Sequence, residues 1–525
     1  MDKPKAFYVT TPIYYVNAPP HLGHAYTTIV GDVLARFHRL MGDDTFFLTG
    51  TDEHGDKVVQ AASQRGMDPK TYTDEISGLF RALWPRLNIS NDHFIRTTDE
   101  AHKRVVRLIL QEVYEKGDIY FGEYAGYYCV GCERFITESE LVDGKCPDHR
   151  KEPEFRKENN YFFAMSKYQE WLVDHIRQNP DFIRPERYRN KLLSSLESPL
   201  EDLCISRPKT RLSWGIPLPF DSDYVTYVWF DALINYVSAI GYPSDPKFLK
   251  FWPVANHLIA KDILIPHGIY WPTMLKAAGI GPYLHLNVHG YWNIQGGKMS
   301  KSRGEIVSPL DLEKRYGLDA FRYFLMREMV FGLDANFSES ALVSRLNADL
   351  ANDLGNLLSR SLAMVVKYCK GKIPEPGGLE GPDQELIGRA METMRSFVGE
   401  MVDLAFHKAL MVIWDLIGRV NKYIDETAPW NLAKNPDQGG RLATVLYNTL
   451  ECLRIVAFLL LPFVPDTGEK IWTQLGMEGS IHSRSFQDME KWGEIRPGRS
   501  VQRGAPLFPR IDLSQGDGQE NTQAR

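Results

Sequence analysis

The sequence predicts an α/β protein: a doubly wound parallel sheet, a smaller domain inserted into it, and a C-terminal bundle of helices. Three observations predict this. A strand–helix–strand rhythm runs from Ala6 to Leu87 and returns between Asp231 and Tyr291. Between those stretches, from about Tyr114, the rhythm gives way to aromatic segments around clustered cysteines. After Ser338 the apolar spacing is helical to about Leu475. Strands alternating with amphipathic helices bury their faces when helices cover a parallel sheet, and ligands then bind beyond the strands' carboxyl ends.

Residues Ala6 to Val16 alternate aromatic and β-branched side chains, as a buried strand does, and stop at Asn17-Ala18-Pro19-Pro20. A helical pattern follows from Leu22 to Met41, then a strand from Thr45 to Thr51 that ends in Asp52-Glu53-His54-Gly55. Helices are expected at Asp56–Arg65 and Pro69–Leu87. In the insertion, Tyr120-Phe121 and Tyr127-Tyr128 read as strand segments, and Arg207–Pro219 is rich in proline and basic residues. Beyond it come a helix at Asp231–Ile240, a strand at Pro253–Ile259, a helix at Asp262–Ala278 and a strand at Leu284–Tyr291. The bundle breaks at Gly371–Pro382 and Asn435–Gly440, and the polar tail from Ser514 reads as disordered.

With 43% hydrophobic and 24% charged residues, the 525-residue chain has an ordinary globular composition. Its net charge of −6 gives no support to a nucleic-acid partner, so any such contact has to come from local basic patches. Met1–Val9 holds no secretory signal, and the longest apolar run, Ile455–Val464, is too short to span a bilayer, so no membrane partner is expected. Six cysteines in so long a chain suit a metal site in a reducing, cytoplasmic compartment better than a disulfide scaffold.

Three chemical signals sit on this frame. His21-Leu22-Gly23-His24 falls between the first strand and its helix, where free N–H groups and the helix dipole favour phosphate. Two imidazoles there can donate to phosphate oxygens; equally, they can simply cap the helix. Lys298 and Lys301, in Lys298-Met299-Ser300-Lys301-Ser302 after Gly296-Gly297, can close over a triphosphate and neutralise charge moving to pyrophosphate. A solvated turn is the plainer alternative for that segment taken alone. The third is Cys129-x-x-Cys132, thirteen residues, then Cys146-x-x-His149. Two short-spaced pairs suit one tetrahedral Zn²⁺, and with no further ligand suggesting an open position the site reads as structural.

Together the histidine pair and the lysine loop resemble the paired signatures of class I aminoacyl-tRNA synthetases. The stretches Val9–Leu40, Phe46–Ala62, Tyr227–Tyr236, Ile259–Leu275 and Ala348–Arg360 are similar to the bacterial methionyl-tRNA synthetase branch of that family, and the likeness extends to about Ile511. It implies a Rossmann-like catalytic domain in two halves, residues 1–114 and 226–291, around a zinc-knuckle connective domain, residues 115–225. A stem-contact segment (292–345) with the lysine loop, an anticodon-binding bundle (346–512) and a disordered tail (513–525) follow. The implied reaction joins methionine to initiator and elongator tRNA(Met) through methionyl-adenylate, with ATP carried as its Mg²⁺ complex.

The resemblance also implies roles by position. Asp52, at a strand's carboxyl end, holds the substrate ammonium, and Ile13, Tyr15, Trp229, Ala232, Tyr236, Ile263, His267 and Trp271 surround the thioether. Pro12 and Leu233 depart from the family pattern, where alanine and proline are common, but remain apolar. His21, Gly23, His24, Lys261, Asp262, Lys298 and Lys301 contact ATP, and Arg207 lies near the reacting groups. Asn356, Arg360 and Trp430 read the anticodon, with Asn356 and Arg360 one helical turn apart on one face. In the family the metal set is often four cysteines; here His149 takes the last place. The space between the two catalytic halves is too small for a large editing domain, which argues against other synthetases for apolar side chains. A small cofactor-making nucleotidyltransferase would lack the bundle, and a non-catalytic RNA-binding relative would not keep His21, His24 and Lys301. Because the chain stops soon after the bundle, a monomer is expected.

Overall fold

The computed structural model of the chain describes residues 5–129, 134–136, 141–147, 150–294, 297–298 and 307–512. They fall into two compact units, one from Ala6–Pro20 and Thr45–His289, the other from Met1–Lys5, His21–Asp44 and Gly290–Arg525.

The first unit is organised by a six-stranded sheet in the order His93–Arg96, Asp44–Asp52, Ala6–Tyr15, Ala255–Ala260, His285–His289, Ile183–Arg184. Thr10 stands opposite His257, and Leu48 opposite His93, in parallel register. The order reverses between Ala6–Tyr15 and Ala255–Ala260, and such a switch point opens the crevice where ligands of doubly wound sheets bind. Ala6–Tyr15 is buried without a break from Phe7 to Thr11, as a central strand covered on both faces must be, and opens partly toward its carboxyl end. At Gly50 the sheet pinches: a Cβ would lie 2.1 Å from the Ile95 carbonyl oxygen, so only glycine fits. Leu48, Ile95, Val106, Ile109, Phe230 and Leu286 share one buried cluster, each side chain contributing roughly 1.5–3 kcal/mol by removal from water.

The inserted stretch adds an antiparallel sheet ordered Arg134–Ile136, Ile119–Cys129, Glu154–Phe163, Leu203–Cys204, which belongs to the same compact unit as the parallel sheet. The strand and helix limits expected from sequence agree to a residue or two with Ala6–Tyr15, Leu22–Leu40, Asp44–Asp52, Asp56–Gln64 and Pro69–Arg86. Two stretches expected as single helices differ. Asp231–Ile240 is covered by two short turns, Trp229–Ala232 and Asn235–Ser238, entered through Val228 at φ 28°. Asp262–Ala278 carries a widened turn over Pro266–Tyr270, where the Trp271 N–H reaches back five residues to the Pro266 carbonyl. Pro266 and Pro272 lack the N–H groups a regular helix would use there.

In the second unit, the helix Leu22–Leu40 is held by a buried ion pair. Arg322, wholly buried, donates to Asp32 at 2.7 Å and to the carbonyls of Phe463 and Pro462 at 2.8 and 3.1 Å. Asp32 also accepts from Arg36 at 2.7 Å, so the buried charges are paired and hydrogen-bonded. The bundle contains Asn356–Cys369, Gly381–Val402, Phe406–Thr427 and Gly439–Leu460. Phe406–Thr427 buries Phe406, Ala409, Leu410, Ile413, Leu416, Ile417, Val420 and Ile424, the three-and-four spacing of one helical face. Pro436–Leu460 is long and apolar enough to cross a membrane, but 94% of its apolar window is buried inside the protein, the mark of a central core helix. At its start, Arg441 and Asn448 meet Asp383 and Tyr423, which ties three helices through one carboxylate.

Candidate functional site

The histidine pair sits at the start of Leu22–Leu40, and its rings cap that helix. The Gly23 N–H donates to Nδ1 of His21 at 3.1 Å, and the His21 N–H to Nδ1 of His24 at 3.2 Å, a reciprocal cap. An Nδ1 that accepts has no proton, so each neutral ring carries its hydrogen on Nε2. Capping therefore selects the tautomer that can donate to a phosphate oxygen from Nε2.

In the sheet unit, Asp52 closes its strand, 7% exposed, and its carbonyl accepts from the Val16 N–H at 3.2 Å. The next residue, Glu53, is wholly buried and held by Arg96 through a fork of 2.6 and 2.9 Å, by Thr98 at 2.5 Å and by Thr51 at 2.8 Å. Trp214 donates to the Glu53 carbonyl at 2.6 Å. His54 then donates to Asp231 at 2.6 Å, and His102 donates to the other oxygen of Asp231 at 2.8 Å. Burial alone would raise the Asp231 pKa; the two histidines hold it down at about 2. Glu53, His54, Arg96, His102 and Asp231 thus fasten the Asp52 turn to the segment bearing Trp229 and Ala232. Sequence reasoning missed them, because only Glu53 and His54 adjoin a motif and their partners lie far along the chain.

Four of the expected pocket residues meet directly. Trp229 lies edge-on to His267 at 6.4 Å, Tyr236 is 5.7 Å from His267 and 6.0 Å from Trp271. His267 Nδ1 donates to the Ile263 carbonyl at 2.9 Å, so its Nε2 accepts from the Tyr236 hydroxyl at 2.7 Å. Burial lowers the His267 pKa to about 4, leaving the ring neutral at physiological pH. Ile13, Trp229 and Ile263 pack against the cluster containing Tyr236 and Trp271, and Ala232 is buried beside them in sequence. Tyr15 ends the central strand, with the Lys57 ammonium 5.7 Å from its ring. Lys261 and Asp262 form the turn that leaves the neighbouring strand, Ala255–Ala260, at its carboxyl end.

Arg207 is buried, not a surface charge. Its guanidinium lies 3.6 Å from the Tyr227 ring and 5.3 Å from that of Tyr128, and it donates to the Ser206 carbonyl at 2.6 Å and to Cys204 Sγ at 3.1 Å. Burial opposes its charge, but Cys204 and the two tyrosines more than offset that and raise its pKa. The hydroxyls of Tyr128 and Tyr227 are hydrogen-bonded to each other.

Next to Tyr128, Cys129 packs with Cys146, at 3% and 1% exposure, in a small cluster separate from the main core that includes Leu141. A turn brings Cys146 back, its N–H donating to the Lys151 carbonyl at 3.0 Å. Cys132 and His149 lie outside the described residues, and among those described no three potential metal ligands gather. Lys298 pairs with Asn293 through the backbone; its side chain and all of Lys301 also lie outside the described residues.

In the bundle, Asn356 donates to Asn352 at 3.0 Å, just after a helix widened over Leu346–Gly355. Arg360 donates to the side-chain oxygen of Asn421 at 2.8 Å and to Asp425 at 3.2 Å, so it lies against the helix Phe406–Thr427. That helix ends at Ala428, φ 44°, and the chain turns at once into Trp430, which is 41% exposed.

The sequence matches a family described as tRNA synthetases class I (M) over residues 7–152 and 148–362, and the anticodon binding domain of methionyl tRNA ligase over residues 373–524. The methionine–tRNA ligase of Caldanaerobacter subterraneus subsp. tengcongensis is 49% identical over 97% of this chain and 79% of its own length. That of Thermotoga maritima is 47% identical over 96% and 80%. Among solved structures, Mycobacterium tuberculosis methionyl-tRNA synthetase in complex with methionyl-adenylate superposes with a TM-score of 0.92 at 42% identity, covering 96% of this chain and 100% of that one.

Proposed function

Because this chain belongs to the class I methionyl-tRNA synthetases, we propose that the residues described above divide the family's reaction among themselves as follows. The protein joins L-methionine to tRNA(Met) with ATP through methionyl-adenylate, releasing pyrophosphate and AMP. Asp52 takes the ammonium of methionine. Tyr236, His267, Trp229 and Trp271, with Ile13, Tyr15, Ala232 and Ile263, surround the thioether, which prefers a polarizable, uncharged wall. The buried His267, hydrogen-bonded through both ring nitrogens, is the observation that carries this reading, since a charged imidazole would lose its hydration against an apolar side chain.

The methionine carboxylate attacks the α-phosphorus of magnesium-bound ATP. Nε2–H groups of His21 and His24 donate to the phosphate oxygens as charge develops, Gly23 leaves room for the nucleotide, and Lys261 and Asp262 orient it. Lys298 and Lys301 neutralise the departing pyrophosphate. Arg207, held charged among Tyr128, Tyr227 and Cys204, matches a family arginine near the reacting groups. The terminal ribose hydroxyl of tRNA then attacks the mixed anhydride. Asn356, Arg360 and Trp430 read the anticodon, Trp430 by stacking under an unpaired base.

Residues 1–114 and 226–291 form the catalytic domain, 115–225 the connective domain, 292–345 the stem-contact segment and 346–512 the anticodon domain. Cys129 and Cys146, buried together, fit half of a thiolate-rich tetrahedral set, and Cys132 and His149 would complete one structural Zn²⁺ site. Such thiolates suit the reducing cytoplasm. Pyrophosphate exchange measured with each amino acid should respond to methionine. Lys301→Ala should slow adenylate formation by on the order of 10²–10³ with methionine affinity kept; lost affinity at an unchanged rate would overturn the assignment.

A further inference from the structure

His257 belongs to no motif and has no part in the chemistry above, yet it is wholly buried in the central strand Ala255–Ala260. The Trp271 indole donates to its Nε2 at 3.1 Å, and its Nδ1 lies 2.8 Å from the Thr10 hydroxyl. Its ring is packed between Tyr236, at 4.1 Å, and Tyr283, at 4.6 Å.

The hydrogen inventory of this chain of contacts has one solution. An indole nitrogen only donates, so His257 Nε2 must present a lone pair. The single proton of the neutral ring then sits on Nδ1 and is given to Thr10 Oγ1. A proton on Nε2 would set two donors against each other and release the tryptophan. Thr10 stands opposite His257 in the parallel ladder, so strand register fixes the imidazole, and the imidazole fixes the plane of Trp271. Burial keeps the ring neutral by lowering its pKa well below the ordinary value.

We propose that His257 is a positioning residue for thioether selection: as the obligatory acceptor for the Trp271 indole, it holds that ring as a fixed end wall against longer side chains. This rests on the reading that Trp271 lines the methionine pocket, and the experiment separates the two.

The full chain is assayed by pyrophosphate exchange with methionine and with ethionine, which is one methylene longer. His257→Phe leaves a buried donor without an acceptor, and should raise the methionine KM about tenfold, with kcat and the ATP KM within about twofold. Selectivity for methionine over ethionine should fall with it. His257→Gln, whose carbonyl oxygen can stand where Nε2 stood, should restore both values to within about twofold of the parent. Trp271→Phe should reproduce the His257→Phe defect, and the double variant should be no worse than Trp271→Phe alone. Should His257→Phe fail to fold, His257→Asn, which keeps a partner for Thr10 but cannot reach the indole, takes its place with the same expected KM. Normal methionine KM and selectivity in the His257 variant, with both impaired in Trp271→Phe, would overturn the positioning role and leave the pocket reading standing. Normal values in Trp271→Phe would overturn the pocket reading itself. Equal damage in His257→Gln and His257→Phe would show that the imidazole fills space and orients nothing.

Discussion

The imidazoles of His21 and His24 stack with centroids 3.8 Å apart while the His21 N–H donates to the ring of His24. The same contact that caps the helix fixes which nitrogen carries the hydrogen, so capping and the proposed donation to phosphate are coupled.

His24→Asn separates them. Asparagine can still accept at the helix start, so the melting temperature should change little. Adenylate formation should fall by on the order of 10²–10³, because with its oxygen in the place of Nδ1 the shorter amide cannot put an N–H where Nε2–H stood. A lower melting temperature with an unchanged rate would return His24 to a purely structural cap.

The Asp231 carboxylate, depressed to about 2 between His54 and His102, predicts a pH signature. A depressed carboxylate contributes stability that is complete above its unfolded value, roughly pH 4, and is lost as pH falls through the folded value near 2. The contribution is on the order of 2 kcal/mol. Asp231→Asn should therefore melt below the parent at neutral pH, with the gap narrowing as the solution is acidified below about pH 4. A gap that stays constant on acidification would sink this account.

The cysteine cluster predicts about one zinc per chain by elemental analysis of carefully purified protein. Chelation should expose amides of Ile119–Cys129 to hydrogen exchange before those of Gly439–Leu460. Metal-free protein with full protection of that strand would refute the site.

Trp430→Ala should impair aminoacylation of tRNA while tRNA-free pyrophosphate exchange stays intact. Stacking on one base is worth roughly 1–3 kcal/mol, so the charging defect should be at least several-fold. Equal damage to both reactions would mark the ring as structural, against its 41% exposure.

Much of this was legible in the chain because it is locally encoded. Strand and helix limits follow from period-two and three-to-four spacing, and the histidine and lysine motifs are contiguous. The helices expected at Asp231–Ile240 and Asp262–Ala278 are present but irregular, the first split into two short turns and the second widened over Pro266–Tyr270, which apolar spacing alone does not reveal. Hidden altogether were the polar pairs that brace the proposed pocket. Asp231 is 177 positions from His54 and 129 from His102, and nothing in a local window couples them. His257 reads as one more buried strand residue until Trp271 is seen to donate to it.

The central pairing of Ala6–Tyr15 with Ala255–Ala260 also sets a timetable for synthesis. Thr10 and His257 touch across 247 positions of sequence, so the first strand leaves the ribosome long before its neighbour exists. At roughly 5–20 residues per second that wait lasts on the order of 10–50 s, during which one edge of an apolar strand has nothing to pair with. The nascent chain therefore depends on what shields Ala6–Tyr15 during translation, and a slower ribosome between Tyr114 and Val254 would lengthen its exposure.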